Sequence, residues 1–409
     1  MLEPAARLKV ISRIKTLVVK HHFNIANVDY AAWSRAVDEQ MPTLLPADDD
    51  VFEEGVRSLL CQLKSSHTNF YRSDTHPTMP QHAIGATLRS VTRGGSPRWM
   101  FLDVFEDGPA ACAGVSAGQL LISVNGTPAF PPNFPSFRFG QEHHVIVELH
   151  DKENRSVVVT VPPGTPKGRR PPLVEPKSIS YRMLRNIGIL TIPFFGGAFG
   201  IRFSRLLDAA VESLKAQGCD RLIIDLRGCL GGSLGFARLA SYLCPGRIPI
   251  GYDVTRKRLQ RGYNVAQFPR VTMPRTKVGV LFCLARFSVL DKSLVLLTQG
   301  LGKQPFHGRV VLLVNEWTNS AGEMAAQFAT DTKLATVVGK QTRGNALGST
   351  MFNVGSGYQL YLPILGWYSP SGNSGEGLGV LPDVPVDIDP DRLAYGDDAQ
   401  VKKALELLQ

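Results

Sequence analysis

The chain has 409 residues, 44% of them hydrophobic and 20% charged. That length accommodates two or three domains with a sizeable core, and that balance, without any low-complexity tract, excludes a disordered or fibrous protein. The net charge of +10 is diffuse; "TRKRLQRGYN" and "PKGRRPP" are local concentrations that lack the aromatic interleaving of a nucleic-acid module, so no nucleic-acid partner is expected. No apolar run is long enough to span a bilayer. The N-terminus has charges spread through it and no signal-peptide core, so no membrane span and a cytoplasmic location are expected. Six scattered cysteines form no C-x-x-C pair, which argues for buried thiols rather than a zinc site or a disulfide framework.

Residues from about 4 to 65 read as helical. "PAARLKVISRIKTLVVKHH" carries apolar residues at helical spacing, and "DDDVFEEGVRSLLCQLK" opens with acids that suit a helix N-terminus. A polar break follows at "SSHTNFY", where His67 is expected to be exposed. Residues 79–162 change character: short strands alternate with a small-residue helix, Asn125-Gly126 supplies a tight hairpin turn, and "HHVIVELHDKENRSVVVTV" reads as a second hairpin. "VPPGTPKGRRPPLVEPK" is too rich in proline and glycine for helix or central strand, and residues 163–178 read as a linker. Strand and helix then alternate over 179–409. "IGILTIPFF", "RLIIDLRG", "VGVLFCLA", "GRVVLLVNE", "LATVVGK" and "YQLYLPILGWY" are the expected strands of an α/β core. Residues from about 251 to 277, basic and proline-containing, are a candidate access lid.

Two strand-to-helix corners carry candidate chemistry. In "RVVLLVNEWTNSAGEMAAQFA" an aliphatic strand ends and a helix begins at Ser320, a place that exposes a hydroxyl beside free N–H groups. Ser320 with Glu323 is also a capping box, which needs no chemistry at all. In "LIIDLRGCLGGSLGFARLA" the glycines 228, 231 and 232 let backbone approach a bound group, although a lone glycine loop is equally a tight turn. Loops at the carboxyl ends of strands converge in an open α/β sheet, so an N–H from this loop and that of Ala321 could together form an oxyanion hole.

Two resemblances join these observations. "GPAACAGVSAGQLLISVNG" resembles a PDZ domain of the type found in bacterial proteases, with Gln119 where that type usually has Asp. The resemblance implies capture of an extended peptide, possibly by its C-terminus, at Ile84, Gly85, Ala86, Thr87 and Leu88, by strand addition. A module that has lost peptide binding is the other reading. In chain order, "SHT", the PDZ-like insert, "DLRGCLGG", "NEWTNSAGE", "VVGKQTRGNALGS", "GWYSPSG" and "GLGVLPDVPV" resemble the tail-specific, or C-terminal-processing, serine peptidases. The fold implied is multidomain α/β: an N-terminal helical region over 1–78, a PDZ-like β-rich domain over 79–162, and over 179–409 a crotonase-like peptidase core with a mixed, largely parallel sheet.

The resemblance implies Ser320 as nucleophile, with Ala321 and either Gly231 or Gly232 as the oxyanion hole. One departure matters. The better-known branch places a general-base lysine where this chain has Asn345, and an amide cannot accept a proton at neutral pH. Lys340 and Lys333 lie nearby but off the motif position and read as surface lysines. The lysine-less branch, similar to the tricorn core protease, uses a histidine preceded by serine and a late glutamate. Ser66, His67 and Glu376 stand at matching places, which implies a Ser320–His67–Ser66–Glu376 relay. The expectation is a serine endopeptidase acting on unfolded or tail-bearing polypeptides, without metal or organic cofactor, and compatible with a homo-oligomer. Its rivals are a catalytically inactive PDZ scaffold that binds protein C-termini, and an acyl hydrolase of small molecules.

Overall fold

The computed structural model describes residues 2–23, 25, 27–72, 77–138, 141–148, 155–163, 175–274, 276, 278–279, 281 and 293–409. Three helices open the chain: α1 (Pro4–His21), α2 (Tyr30–Leu44) and α3 (Asp49–Cys61). Val10, Ile11, Ile14, Leu17 and Val18 form the buried stripe of α1, as a three-four apolar spacing dictates. Asp29 and Asp48 start the next two helices by accepting backbone N–H groups of the first turn. Their apolar faces share one core with Tyr358, Leu360 and Leu362, far downstream. Strand β1 (Asn69–Arg72) completes this attachment by pairing antiparallel with the same downstream strand, Asn69 opposite Tyr361. The chain just before β1 is thereby delivered to the C-terminal part of the molecule.

A β-rich unit follows, with β2 (Ala86–Arg93), β3 (Ser96–Val104), β4 (Leu120–Val124), β5 (His143–Glu148) and β6 (Ser156–Val161) in consecutive antiparallel order. Asn125 and Gly126 both have positive φ, 49° and 77°, the conformation that a two-residue hairpin turn demands. Strand β2 stands at one edge of this sheet. Most of the expected linker, residues 164–174, lies outside the described residues.

The remainder is built on two sheets. In the first, β7 (Ser180–Leu184), β8 (Ile187–Thr191), β9 (Arg221–Asp225), β13 (Val310–Val314), β14 (Thr336–Gly339) and β17 (Val384–Pro385) lie in that order, parallel throughout except at β7. The second contains β1, β10 (Pro249–Thr255), β11 (Arg270–Thr272), β12 (Leu294–Leu297), β15 (Leu347–Gly355) and β16 (Tyr358–Tyr368), antiparallel except between β11 and β12. Helices α4 (Ile201–Ala216), α5 (Phe236–Leu243) and α6 (Ala321–Thr332) share one core with strands of both sheets, from Leu222 and Leu312 on one side to Leu296 and Trp367 on the other. Helix α7 (Ala399–Leu407) covers the opposite face of the parallel sheet through Ala404 and Leu408. Among the described residues no helix is long and apolar enough to cross a membrane.

Three expectations are corrected. "VGVLFCLA" was expected as a strand, but its described residues Val278, Gly279 and Leu281 are helical, and Val278 is 75% exposed; the rest of that run lies outside the described residues. An apolar run by itself does not separate strand from helix. The supposed lid begins as β10, an internal strand of the second sheet, because Tyr252 and Val254 bury one apolar face of it and Ile250, beyond a register shift, packs into the main core. "YQLYLPILGWY" is a strand, yet of the antiparallel sheet rather than the parallel one.

Candidate active site

Ser320 ends the tight turn between β13 and α6 with φ 51° and ψ −115°, a strained conformation for a residue with a Cβ. Its own N–H donates to Glu323 Oε2 at 2.9 Å, so one arm of the capping box is made. Glu323 does far more than cap. Its two oxygens also accept from the Thr342 hydroxyl at 2.7 Å, the Gly344 N–H at 2.6 Å and the Asn345 N–H at 2.8 Å. Burial raises the Glu323 carboxyl above the usual range, and these bonds to the charged form pull the other way. A buried acid thus locks the 342–346 loop onto the serine corner.

The second corner is stitched to the first. The Asn319 N–H donates to Cys229 O at 2.9 Å, and the Thr318 hydroxyl to Leu226 O at 2.8 Å. Gly231 has φ 83°, and a Cβ placed there would come within 2.6 Å of the Ser320 Cβ. Both facts require glycine. No oxygen accepts the N–H of Gly231 among the described residues. The Gly232 and Ala321 N–H groups have no hydrogen-bond partner among the described residues.

His67 comes from the other end of the chain, on the turn between α3 and β1, and has φ 56°. The Ser66 hydroxyl donates to Glu376 Oε2 at 2.8 Å, and its backbone N–H to Glu376 Oε1 at 2.7 Å. Because that hydroxyl has spent its only proton, its oxygen accepts from His67 Nδ1–H, 2.9 Å away. The tautomer that follows leaves Nε2 as the free lone pair. Burial first, and then the positive charge of Arg343, push the His67 imidazole down to about 4. The ring therefore rests neutral at pH 7.

A single loop ties the dyad to the serine. Asn345 and Ser320 donate to the same Glu323 oxygen, while the next residue, Ala346, donates at 2.9 Å to the Glu376 oxygen that holds Ser66. The path from Ser320 to His67 is thus two carboxylates and one peptide unit. His67 and Ser320 do not share a hydrogen bond; the His67 ring lies 6.1 Å from that of Tyr361, centre to centre. Asn345 contributes its backbone N–H to this arrangement. Lys340 pairs with Asp387 at 3.2 Å and Lys333 with Asp383 at 2.8 Å, so both lysines are engaged in ion pairs elsewhere.

The β-rich unit meets the same corner. Asn315, the first residue after β13, accepts the Gly228 and Trp317 N–H groups at 3.0 Å each and donates to both Asp103 oxygens, at 3.1 and 3.0 Å. Asp103 in turn accepts from the Thr87 hydroxyl at 2.5 Å and is pushed up to about 6 by burial. The Trp317 indole N–H donates to Leu88 O at 3.1 Å, and the Arg343 guanidinium lies 4.7 Å from the Trp317 ring centre. Of the residues expected to receive a peptide, Thr87 and Leu88 therefore touch the serine corner, while Ile84 O and Gly85 O accept N–H groups of Ala110 and Phe105. The sequence reading missed Glu323 as an organiser, and missed Asn315, Trp317 and Asp103. An amide closing an unbroken aliphatic strand, as Asn315 does, was the available signal.

Residues 186–386 match the model described as Peptidase family S41. A Streptomyces coelicolor protein named as a tricorn protease homolog is 26% identical over 92% of this chain, which spans only 30% of that relative's length. A Staphylococcus epidermidis protein named as a CtpA-like serine protease is 20% identical over 92% of this chain and 70% of its own. Among solved structures, the photosystem II D1 C-terminal processing protease superposes with a TM-score of 0.55 at 18% identity, covering 94% of this chain and 93% of that one, which shows a shared fold.

Proposed function

We propose, for a chain that belongs to peptidase family S41 through residues 186–386, a serine endopeptidase that cleaves extended polypeptides through an acyl-enzyme on Ser320. The observation that carries this reading is the hydrogen-bonded chain Glu376–Ser66–His67, drawn from residues 310 apart and held to the Ser320 corner by one loop. Chance packing has no reason to orient an imidazole through a serine and a carboxylate beside a strained serine. His67 Nε2 takes the Ser320 proton as the hydroxyl attacks the peptide carbonyl, and returns it to the leaving amine. Ser66 and Glu376 fix the ring and stabilise the imidazolium as it forms. The N–H groups of Ala321 and of Gly231 or Gly232 receive the developing oxyanion, since none of them has an oxygen partner among the described residues. Water then repeats the sequence on the ester. For this, the His67 ring must swing from its resting place to the Ser320 hydroxyl.

The β-rich unit over 79–162 is read as a PDZ-like module whose edge strand β2, with the turn at Gly85 (φ 71°), receives a substrate tail. Its junction with the serine corner at Leu88 and Thr87 supports a part in presenting substrate. The core over 179–409 is read as crotonase-like, with the helical 1–78 region supplying the base.

Turnover of an unfolded protein and of a small ester, in wild type and Ser320→Ala, tests the reading. Cleavage of the polypeptide by wild type, falling by about 10⁶-fold in Ser320→Ala, is the expected result. Ester hydrolysis without peptide cleavage, or cleavage that survives the substitution, would refute it.

A further inference from the structure

Behind the turn that carries His67 lies a histidine that the relay does not use. His22 follows α1 directly, and its N–H donates to Val18 O at 3.1 Å. The N–H of Phe23 donates to Pro363 O of β16 at 2.8 Å, so the end of α1 is pinned to the strand on which β1 pairs. The His22 side chain is wholly covered, at 0% exposure. An imidazole so buried needs a partner at each ring nitrogen, and His22 has one on either side.

Tyr30, the first residue of α2, donates its hydroxyl proton to His22 O at 3.1 Å. With that proton spent, the phenol oxygen accepts His22 Nδ1–H, 2.9 Å away. The lone pair left on Nε2 accepts from the Ser65 hydroxyl at 2.8 Å, and the Ser65 oxygen accepts from the Thr68 hydroxyl at 2.8 Å. Burial first, and then the positive charge of Arg256, push the His22 imidazole down to about 4, which keeps it in this neutral form at pH 7.

Ser65 and Thr68 flank the Ser66–His67 pair on both sides. The turn is strained, since Lys64 has φ 49° and His67 φ 56°. Residues with a Cβ stay in that region only where their surroundings hold them there. Glu376 holds the turn at Ser66, on the side of the Ser320 corner. His22 holds it at Ser65, and through Ser65 at Thr68, on the side of the helical region. A ring that must swing to Ser320 and back needs a backbone that does not move with it.

Resting on the peptidase reading, we infer that His22 is a positioning residue for the His67 base, acting through the Ser65 hydroxyl. The test is the rate constant of covalent labelling by a fluorophosphonate probe, together with kcat and KM on a peptide. The proteins compared are wild type, His22→Phe and Ser65→Ala, and the same two substitutions added to His67→Ala. Each single substitution is expected to slow labelling by about fivefold or more, the scale of one hydrogen bond. Each should lower kcat by the same factor and leave KM unchanged. Because both act through His67, neither should slow labelling further once His67 is alanine. Ser65→Ala removes one oxygen from a half-buried site, so the result does not depend on whether His22→Phe folds. Wild-type labelling and kcat in Ser65→Ala, or a further fall in the His67→Ala background, overturns the inference alone. Failure of wild type to be labelled or to cleave the peptide overturns the peptidase reading together with it.

Discussion

At the scale of the residue, the proposed activity turns on a neutral imidazole tied through one loop to the corner of a strained serine. Burial and the Arg343 charge lower His67 to about 4, below its ordinary value near 6.5. The sign follows directly: the stability gained from a neutral His67 is complete above pH 6.5 and lost as pH falls towards 4, because the unfolded chain takes the proton first. The acid limb of kcat/KM for a peptide, set by the free enzyme, should therefore lie below pH 6.5. Arg343→Gln should move it upward, because the repelling cation is gone. A limb at or above pH 6.5 in wild type, or one that Arg343→Gln does not move, would contradict the assignment. The strand-to-helix corner at Ser320 was legible from its neighbours alone, since a strand, a turn and an S-x-x-E start are local features, but those features favour a cap, and the nucleophile reading came from the resemblance. His67 and Glu376 were not legible in this way: no spacing rule joins residues so far apart in the chain, and only their resemblance to a known motif order brought them forward.

Elements supply the precision that single residues lack. The two strand-to-helix corners fit because Gly231 lets the loop lie against Ser320. Gly231→Ala must relieve both a forbidden φ and a 2.6 Å overlap. Moving the proposed oxyanion amides out of place in this way should slow acylation by about 10²-fold, the usual effect of losing one such donor. Acylation by an active-site probe at the wild-type rate would contradict it. Asn315→Ala should lower unfolding stability by about 1–3 kcal/mol, since it leaves the buried Gly228 and Trp317 N–H groups unpaired. Chemical denaturation measures this, and an unchanged midpoint would sink the claim. The parallel strands could be read from unbroken aliphatic runs. The second sheet could not be told apart from them, because β16 is buried heavily enough to mask its alternation, with Leu360, Leu362, Pro363, Gly366 and Trp367 all covered.

At the scale of the whole molecule, three regions meet at one place. The helical start shares its core with β16 and so delivers His67, while the β-rich unit touches the serine corner through Asp103 and Leu88. The Leu88 carbonyl lies on β2, the edge strand read as the peptide-receiving one, and it is already engaged by the Trp317 indole. An incoming strand and Trp317 compete for that carbonyl. Trp317→Phe keeps an aromatic ring and removes the donor, so a C-terminal peptide should bind about fivefold tighter, one net hydrogen bond being worth ~1 kcal/mol. Fluorescence anisotropy of a labelled peptide reads this, and unchanged or weaker binding would contradict a competing contact. The order of helical, β-rich and α/β stretches was visible in composition and periodicity. Their junction was not, because it depends on single buried side chains such as Asp103 and Trp317.

The central claim is that an imidazole, rather than a lysine, activates Ser320. The rate of covalent labelling by a fluorophosphonate probe in wild type, His67→Ala and Lys340→Ala tests it most directly. Labelling slowed about 10²–10⁴-fold by His67→Ala and untouched by Lys340→Ala is the predicted outcome. Wild-type labelling rates in His67→Ala, or their collapse in Lys340→Ala, would contradict it.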